Sequence, residues 1–147
     1  MSNFQEDLKF GQIAEAEFFL TLAKAESTVS LLDVSKDPYY QSKDIDILVQ
    51  RKDGVIVKYE VKSDRKADET GNICFETSSN GNEGCLQRSE ADYIFYKTEK
   101  HNYLFSLKDM REFLRTHPYG EYEMGDGAKG YLLNIEDLKL ARVLKEV

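Results

Sequence analysis

From Phe4 onward apolar residues recur at helical intervals through Leu8, Phe18, Phe19 and Leu22, which predicts a first helix running to about Ala25. Ser2 with Gln5 three residues later supplies a capping-box signal at its start. The period then shortens. Thr28 to Val34 (TVSLLDV) is β-branched and apolar enough for a strand, and the loop SKDPYYQSK follows. Asp44 to Gln50 and Val55 to Lys62 alternate with period two and are joined at Lys52-Asp53-Gly54, so they predict a hairpin.

Ser63 to Gly71 is polar and reads as a loop, Asn72 to Glu76 as a short strand, and Thr77 to Gly84 (TSSNGNEG) as loop chemistry. A helical turn is expected at Leu86 to Glu90, then a strand at Tyr93 to Tyr96 buried on both faces, with Tyr103 to Leu107 beside it. Ser106 is placed to cap a helix from Leu107 to about Arg115, with Asp109 at the favourable third position, and His117-Pro118 to end it. Tyr119 to Gly130, with four glycines, reads as an excursive loop. Tyr131 to Leu133 is then a last strand, and Ile135 to Val143 a last helix capped by Asn134. Together these elements predict one α/β domain over residues 1–147, with a central mixed sheet flanked by helices.

Strand period decides which side chains cooperate. On the second strand of the hairpin Ile56, Lys58, Glu60 and Lys62 share one face, and Val55, Val57, Tyr59 and Val61 the other. On the first strand Ile45, Ile47 and Val49 form the apolar set, leaving Asp44, Asp46 and Leu48 opposite. A two-residue turn would put Asp46 and Glu60 on opposite faces. A three-residue loop with Gly54 left-handed instead pairs Arg51 with Val55 and Asp46 with Glu60, and both apolar sets then coincide on one buried face.

Charge sharpens the picture. The net charge of -7 argues against a general nucleic-acid coat protein, because phosphate binding draws on Lys and Arg. Between Lys43 and Lys66, however, seven bases stand against five acids, leaving -9 for the rest: a locally basic footprint around one site. Cys74 and Cys85 have neither CxxC spacing nor a His pair nearby, so they read as buried or half-buried thiols. An acidic start and the lack of any apolar run near 18 residues lead to the expectation of a cytoplasmic protein without a membrane segment.

Two adjacent carboxylates repel unless a cation lies between them, and a hard ion such as Mg²⁺ prefers oxygen ligands. Lys62 adds an ammonium beside the same point, suited to orienting a water or stabilising charge on a phosphate oxygen. Glu15 falls within the apolar stripe of the first helix, where a carboxylate is costly without a partner, and Gly11 one turn earlier leaves space beside it. Taken alone, Asp46-x(13)-Glu60-x-Lys62 is a spacing that many solvated hairpins satisfy, so a charge network that merely supports the fold is the alternative.

The helix with Gly11-x-x-x-Glu15, then Asp44-Ile45-Asp46-Ile47, then the hairpin into Glu60-Val61-Lys62, resembles the PD-(D/E)XK nuclease superfamily, which includes restriction endonucleases and archaeal Holliday-junction resolvases. The likeness extends to about Tyr96. It implies a restriction-endonuclease-like αβββαβ core and one or two Mg²⁺ ions, with Mn²⁺ able to substitute, held by Asp46, Glu60 and the Val61 carbonyl. It also implies Lys62 as the water-positioning cation, Glu15 assisting through water or a second metal, and DNA as substrate. Gln87, Arg88 and Ser89 resemble polar residues that some members place near the site. Cleavage of both strands would favour a symmetric homodimer. The sequence departs from the pattern in having Ile45 where a proline often stands, and in a strand intervening before the second helix.

Overall fold

The computed structural model describes residues 3–117, 119–125 and 127–147. Helix α1 spans Asn3–Lys24, and Ser2, the expected cap, lies outside the described residues. Strand β1 (Thr28–Asp33) follows, then a single turn α2 (Pro38–Gln41), where a loop was expected. The Asp37 carboxylate caps α2 by accepting from the Tyr39 and Tyr40 amides, and Pro38 sits in the first turn, where its missing N–H costs nothing. The hairpin is β2 (Ile47–Arg51) and β3 (Ile56–Ser63).

Between β3 and its parallel neighbour the chain makes a long excursion: α3 (Ala67–Thr70), β4 (Asn72–Ser79), β5 (Asn82–Glu83) and α4 (Cys85–Arg88). Strands β6 (Tyr93–Lys97) and β7 (Asn102–Ser106) come next, then α5 (Leu107–Thr116), capped as expected by Ser106 Oγ accepting from the Asp109 amide. Pro118, expected to stop that helix, is outside the described residues. The chain closes with β8 (Tyr122–Gly125), β9 (Ala128–Asn134), α6 (Ile135–Leu140) and β10 (Leu144–Glu146).

The strands form two sheets. A mixed six-stranded sheet has the order β1-β2-β3-β6-β7-β10, with β3 and β6 parallel and its other neighbours antiparallel. A second, antiparallel sheet has the order β5-β4-β9-β8. The expected strands Asn72 to Glu76 and Tyr131 to Leu133 lie within its two central strands, and two stretches expected to be loops lengthen and flank them. Asn80 and Gly81, both at positive φ, form a two-residue turn of the mirror-image kind that suits right-twisted strands, and β8 pairs with β9 across residues 126 and 127. Likewise α6 stops at Leu140, short of the expected Val143, because Arg142 turns left-handed and sends the chain into β10.

Each face of the large sheet has its own core. Phe18 and Leu22 of α1 pack on Ile47, Val49 and Phe95, whereas Ile94, Tyr96, Tyr103 and Phe105 face the second sheet and α5 and α6. Strand β6 is therefore buried on both sides, as its aromatic run predicts. The stripe of α1 is narrower than expected: Ala14, Phe18 and Leu22 are buried, while Phe4 is 77 % and Leu8 54 % exposed because the first turns of the helix extend past the sheet. Among the described residues no helix is long and apolar enough to cross a membrane.

Candidate active site

The hairpin takes the register inferred from its loop. Gly54 is left-handed (φ 84°), the Arg51 amide bonds the Val55 carbonyl at 2.9 Å, and Ile47 faces Tyr59, Val49 faces Val57 and Gln50 faces Ile56. The regular ladder stops one residue short of the carboxylate. The Asp46 amide donates to the Tyr59 carbonyl, the residue that Ile47 already opposes, so Asp46 and Ile47 share one partner in a β-bulge. The bulge shifts the alternation beyond it. Ile45 consequently packs with Val34, Ala91 and Leu48 rather than with Ile47 and Val49, a correction to the face assignment made from the pattern.

Asp46 is thus held at the open end of the β2–β3 ladder. Its carbonyl accepts from Val34, and its Oδ2 accepts from the Val61 amide at 2.7 Å. In a strand, the N–H and C=O of one residue point to the same side, so the Val61 carbonyl also faces the gap where β2 has ended. Burial raises the Asp46 carboxyl above the usual range, with Asp44 and Asp33 adding to the rise and the Val61 amide and Lys62 opposing it.

Glu60 and Lys62 pair with Ile94 and Tyr96 of β6 and so point to the face of the second sheet. Glu60 is 5 % exposed. Its Oε2 lies 3.2 Å from Lys62 Nζ, and its Oε1 is buried with no hydrogen-bond partner among the described residues. Burial pushes this carboxyl up to about 7, against the pull of Lys62 and Ser89 and with the help of Asp44. Burial works against the Lys62 ammonium, but Glu60 beside it outweighs that and keeps it charged.

Glu15 lies half-buried on α1, on the other side of the sheet. Its carboxyl is raised by burial first, then by repulsion from Asp46 and Asp33, with Lys36 opposing. The four expected residues therefore form two pairs, Glu15 with Asp46 and Glu60 with Lys62, linked where Asp46 bonds Val61 and feels the Lys62 charge; the expectation that Asp46 and Glu60 lie side by side on one face is corrected, because the bulge at Asp46 breaks the alternation on which it rested. Among the described residues no three His, Cys, Asp or Glu side chains form a ready-made metal cage.

Of the polar trio after the second sheet, Gln87 is exposed, Ser89 is buried against Glu60, and Arg88 grips Asp44 with two bonds, Nε–Oδ2 3.0 Å and Nη2–Oδ1 2.8 Å. Asp44 is the member that pattern reading underweighted. It acts on both Glu60 and Asp46 and is itself held by Arg88, and the cue was its place just after the capped α2 turn, where the chain goes left-handed (φ 55°). Cys85 is buried and free beside Lys62, and Cys74 half-buried, as expected of isolated thiols. No known protein-family model matches the chain, and no curated protein matches it.

Proposed function

We propose that this protein is a Mg²⁺-dependent deoxyribonuclease of the PD-(D/E)XK type. The observation that carries the reading is Asp46 accepting the amide that follows Glu60, which gathers Asp46, Glu60-Val61-Lys62 and the Val61 carbonyl at the open end of one hairpin. The donor set fits a hard divalent ion: the buried Oε1 of Glu60 has no partner among the described residues, and the carboxyls of Asp46, Glu60 and Glu15 are all raised, by burial first and then by neighbouring acids. Asp46, Glu60 and the Val61 carbonyl would hold it. A site with two carboxylates suits Mg²⁺, which keeps several of its waters.

When bound, the ion would polarise a phosphate oxygen and make water a stronger nucleophile. Lys62, charged and 29 % exposed at its side chain, would donate from Nζ to the scissile phosphate or orient the water. Asp46 and Glu15 would draw the proton side of that water toward α1, where both carboxyls lie near enough to repel each other.

The test is incubation with labelled duplex, single-stranded, flap and four-way-junction DNA plus Mg²⁺ or Mn²⁺, with EDTA controls. Lys62→Ala and Asp46→Ala should each cut the rate by about 100-fold or more while leaving DNA binding in place. Cleavage that survives EDTA or Lys62→Ala would sink the proposal.

A second reading has its own support. Lys62 already sits on Glu60, and no three-ligand cage exists among the described residues, so the same fold would serve as a catalytically silent module binding nucleic acid or a protein partner. That version shows binding and no cleavage with any metal.

A further inference from the structure

Beside Lys62 the large sheet and the second sheet leave a cleft of about 370 Å³, lined by Lys62, Ser63, Asp64, Glu76, Arg88 and Tyr96, with both thiols on its wall. Its volume lies at the lower end of small-ligand clefts and admits one nucleoside, not a paired duplex. Two cations mark its mouth, and they differ in what already holds them. Lys62 faces Glu60, whereas Arg88 is locked by Asp44 through a two-point grip and keeps 47 % of its side chain open. That grip uses Nε and Nη2 and leaves Nη1 outside it.

The anchor itself is unusual. Asp44 is left-handed, a conformation that Gly or Asn more often supplies, yet an acid stands there with both oxygens on the guanidinium and only 13 % of its side chain exposed. An arginine fixed in this way loses little freedom on meeting a second anion, which is how a preorganised phosphate contact is built.

The interior of the cleft offers acceptors. Tyr96 Oη donates to Asp64 Oδ2 at 2.8 Å and accepts from the Cys74 amide, so Asp64 is fixed from within. Glu76, exposed on β4 and paired across to Gly130, has no side-chain hydrogen bond among the described residues.

We infer that this cleft is a subsite for one unpaired nucleotide, Arg88 taking the phosphate and Glu76 accepting from an exocyclic base amine, so that the substrate is single-stranded or flapped DNA rather than intact duplex. The inference deepens the nuclease reading and rests on it. Any base entering the cleft has left its stack, and an unpaired base does so at the least cost. Thymine, which has no exocyclic amine, is the base this acceptor serves worst.

The experiment is fluorescence anisotropy of labelled oligo-dC, oligo-dT and a duplex in EDTA, where cleavage cannot intervene. Single strands should bind more tightly than duplex, and dC more tightly than dT. Arg88→Ala should weaken single-strand binding about tenfold, the scale of one charge-assisted contact. Glu76→Gln should erase the dC-over-dT preference without loss of total affinity. Both side chains are exposed, so neither variant endangers folding, and Asp44→Asn, which tolerates the left-handed backbone, should reproduce part of the Arg88→Ala loss. Equal or tighter duplex binding, or an Arg88→Ala variant with unchanged affinity, would overturn the subsite. If the subsite fails while cleavage of duplex still requires Lys62, the nuclease reading stands; if single-strand binding holds but no metal supports cleavage, the subsite stands and the nuclease reading falls.

Discussion

Glu60 is an acid placed where its charge is unwelcome, and that has a measurable sign. Its carboxyl, ordinarily near 4.5, titrates at about 7 in the folded chain because it is buried, with Lys62 only partly offsetting the cost and Asp44 adding to it. A folded-state value above the unfolded one means that the folded protein binds the extra proton, so this stabilisation is complete below about pH 4.5 and is lost as pH rises through 7. The shift corresponds to about 3 kcal/mol at most. In EDTA the melting temperature should therefore fall between these limits, with Asp46 and Glu15 pushing the same way. Glu60→Gln should flatten that fall, since the amide has no proton to lose over this interval, although Lys62 then gives up the partner that offsets its burial. A wild-type profile that rises over the same interval, with an unchanged profile for Glu60→Gln, would show that Glu60 is ionised and satisfied. The shared face of Glu60 and Lys62 was legible from period-two alternation, whereas the turn of Asp46 away from that face was not, and the pairing of Asp44 with Arg88 spans 44 residues of sequence and carries no local signal.

Between elements, close backbone approach does what side-chain pattern cannot announce. A Cβ on Gly84, which starts α4, would lie 2.5 Å from the Glu76 carbonyl, so α4 rests directly on β4 and carries Arg88 with it. Gly84→Ala should cost about 1–3 kcal/mol, the range for forced overpacking, and lower the melting temperature by several degrees. Gly120→Ala, with nothing within 4 Å, is the control and should leave it unchanged. Equal behaviour of the two variants would mean that α4 can lift from β4 freely. The same contact explains what the sequence concealed. TSSNGNEG and the glycine-rich stretch before Tyr131 read as loops because Gly, Ser and Asn dominate them, yet glycines such as Gly84 and Gly130 are there because neighbouring backbone leaves no room for a Cβ. The Asn80-Gly81 turn was a readable hairpin signal, and it was masked by the polar residues around it. The β2–β3 register, by contrast, was readable because loop length and two coincident apolar faces demand the same answer. The bulge at Asp46 was not, since alternation assumes an unbroken ladder.

For the whole molecule, an acidic chain with a crowded group of raised carboxyls should respond to divalent cations in a way that monovalent salt cannot imitate. Salt of any kind screens the net charge of -7 and relieves general self-repulsion. Mg²⁺ held at the proposed site would do something different: binding the folded chain and not the unfolded one, it would add about 2.7 kcal/mol at a hundred times its dissociation constant. Spread over a domain of this size, that is a rise of several degrees. Because an ion held as proposed by Asp46 and Glu60 would compete with protons there, the rise should be full near pH 8 and shrink as pH falls through about 7, where Glu60 takes up its proton. Thermal melts in MgCl₂ and in NaCl of matched ionic strength separate the two effects. The Mg²⁺-specific increment should disappear in Asp46→Asn and in Glu60→Gln and persist in Arg88→Ala, whose side chain lines the cleft and lies outside the proposed ligand set. An increment matched by NaCl, or retained in both carboxyl variants, would assign the effect to screening and remove the metal from Asp46 and Glu60.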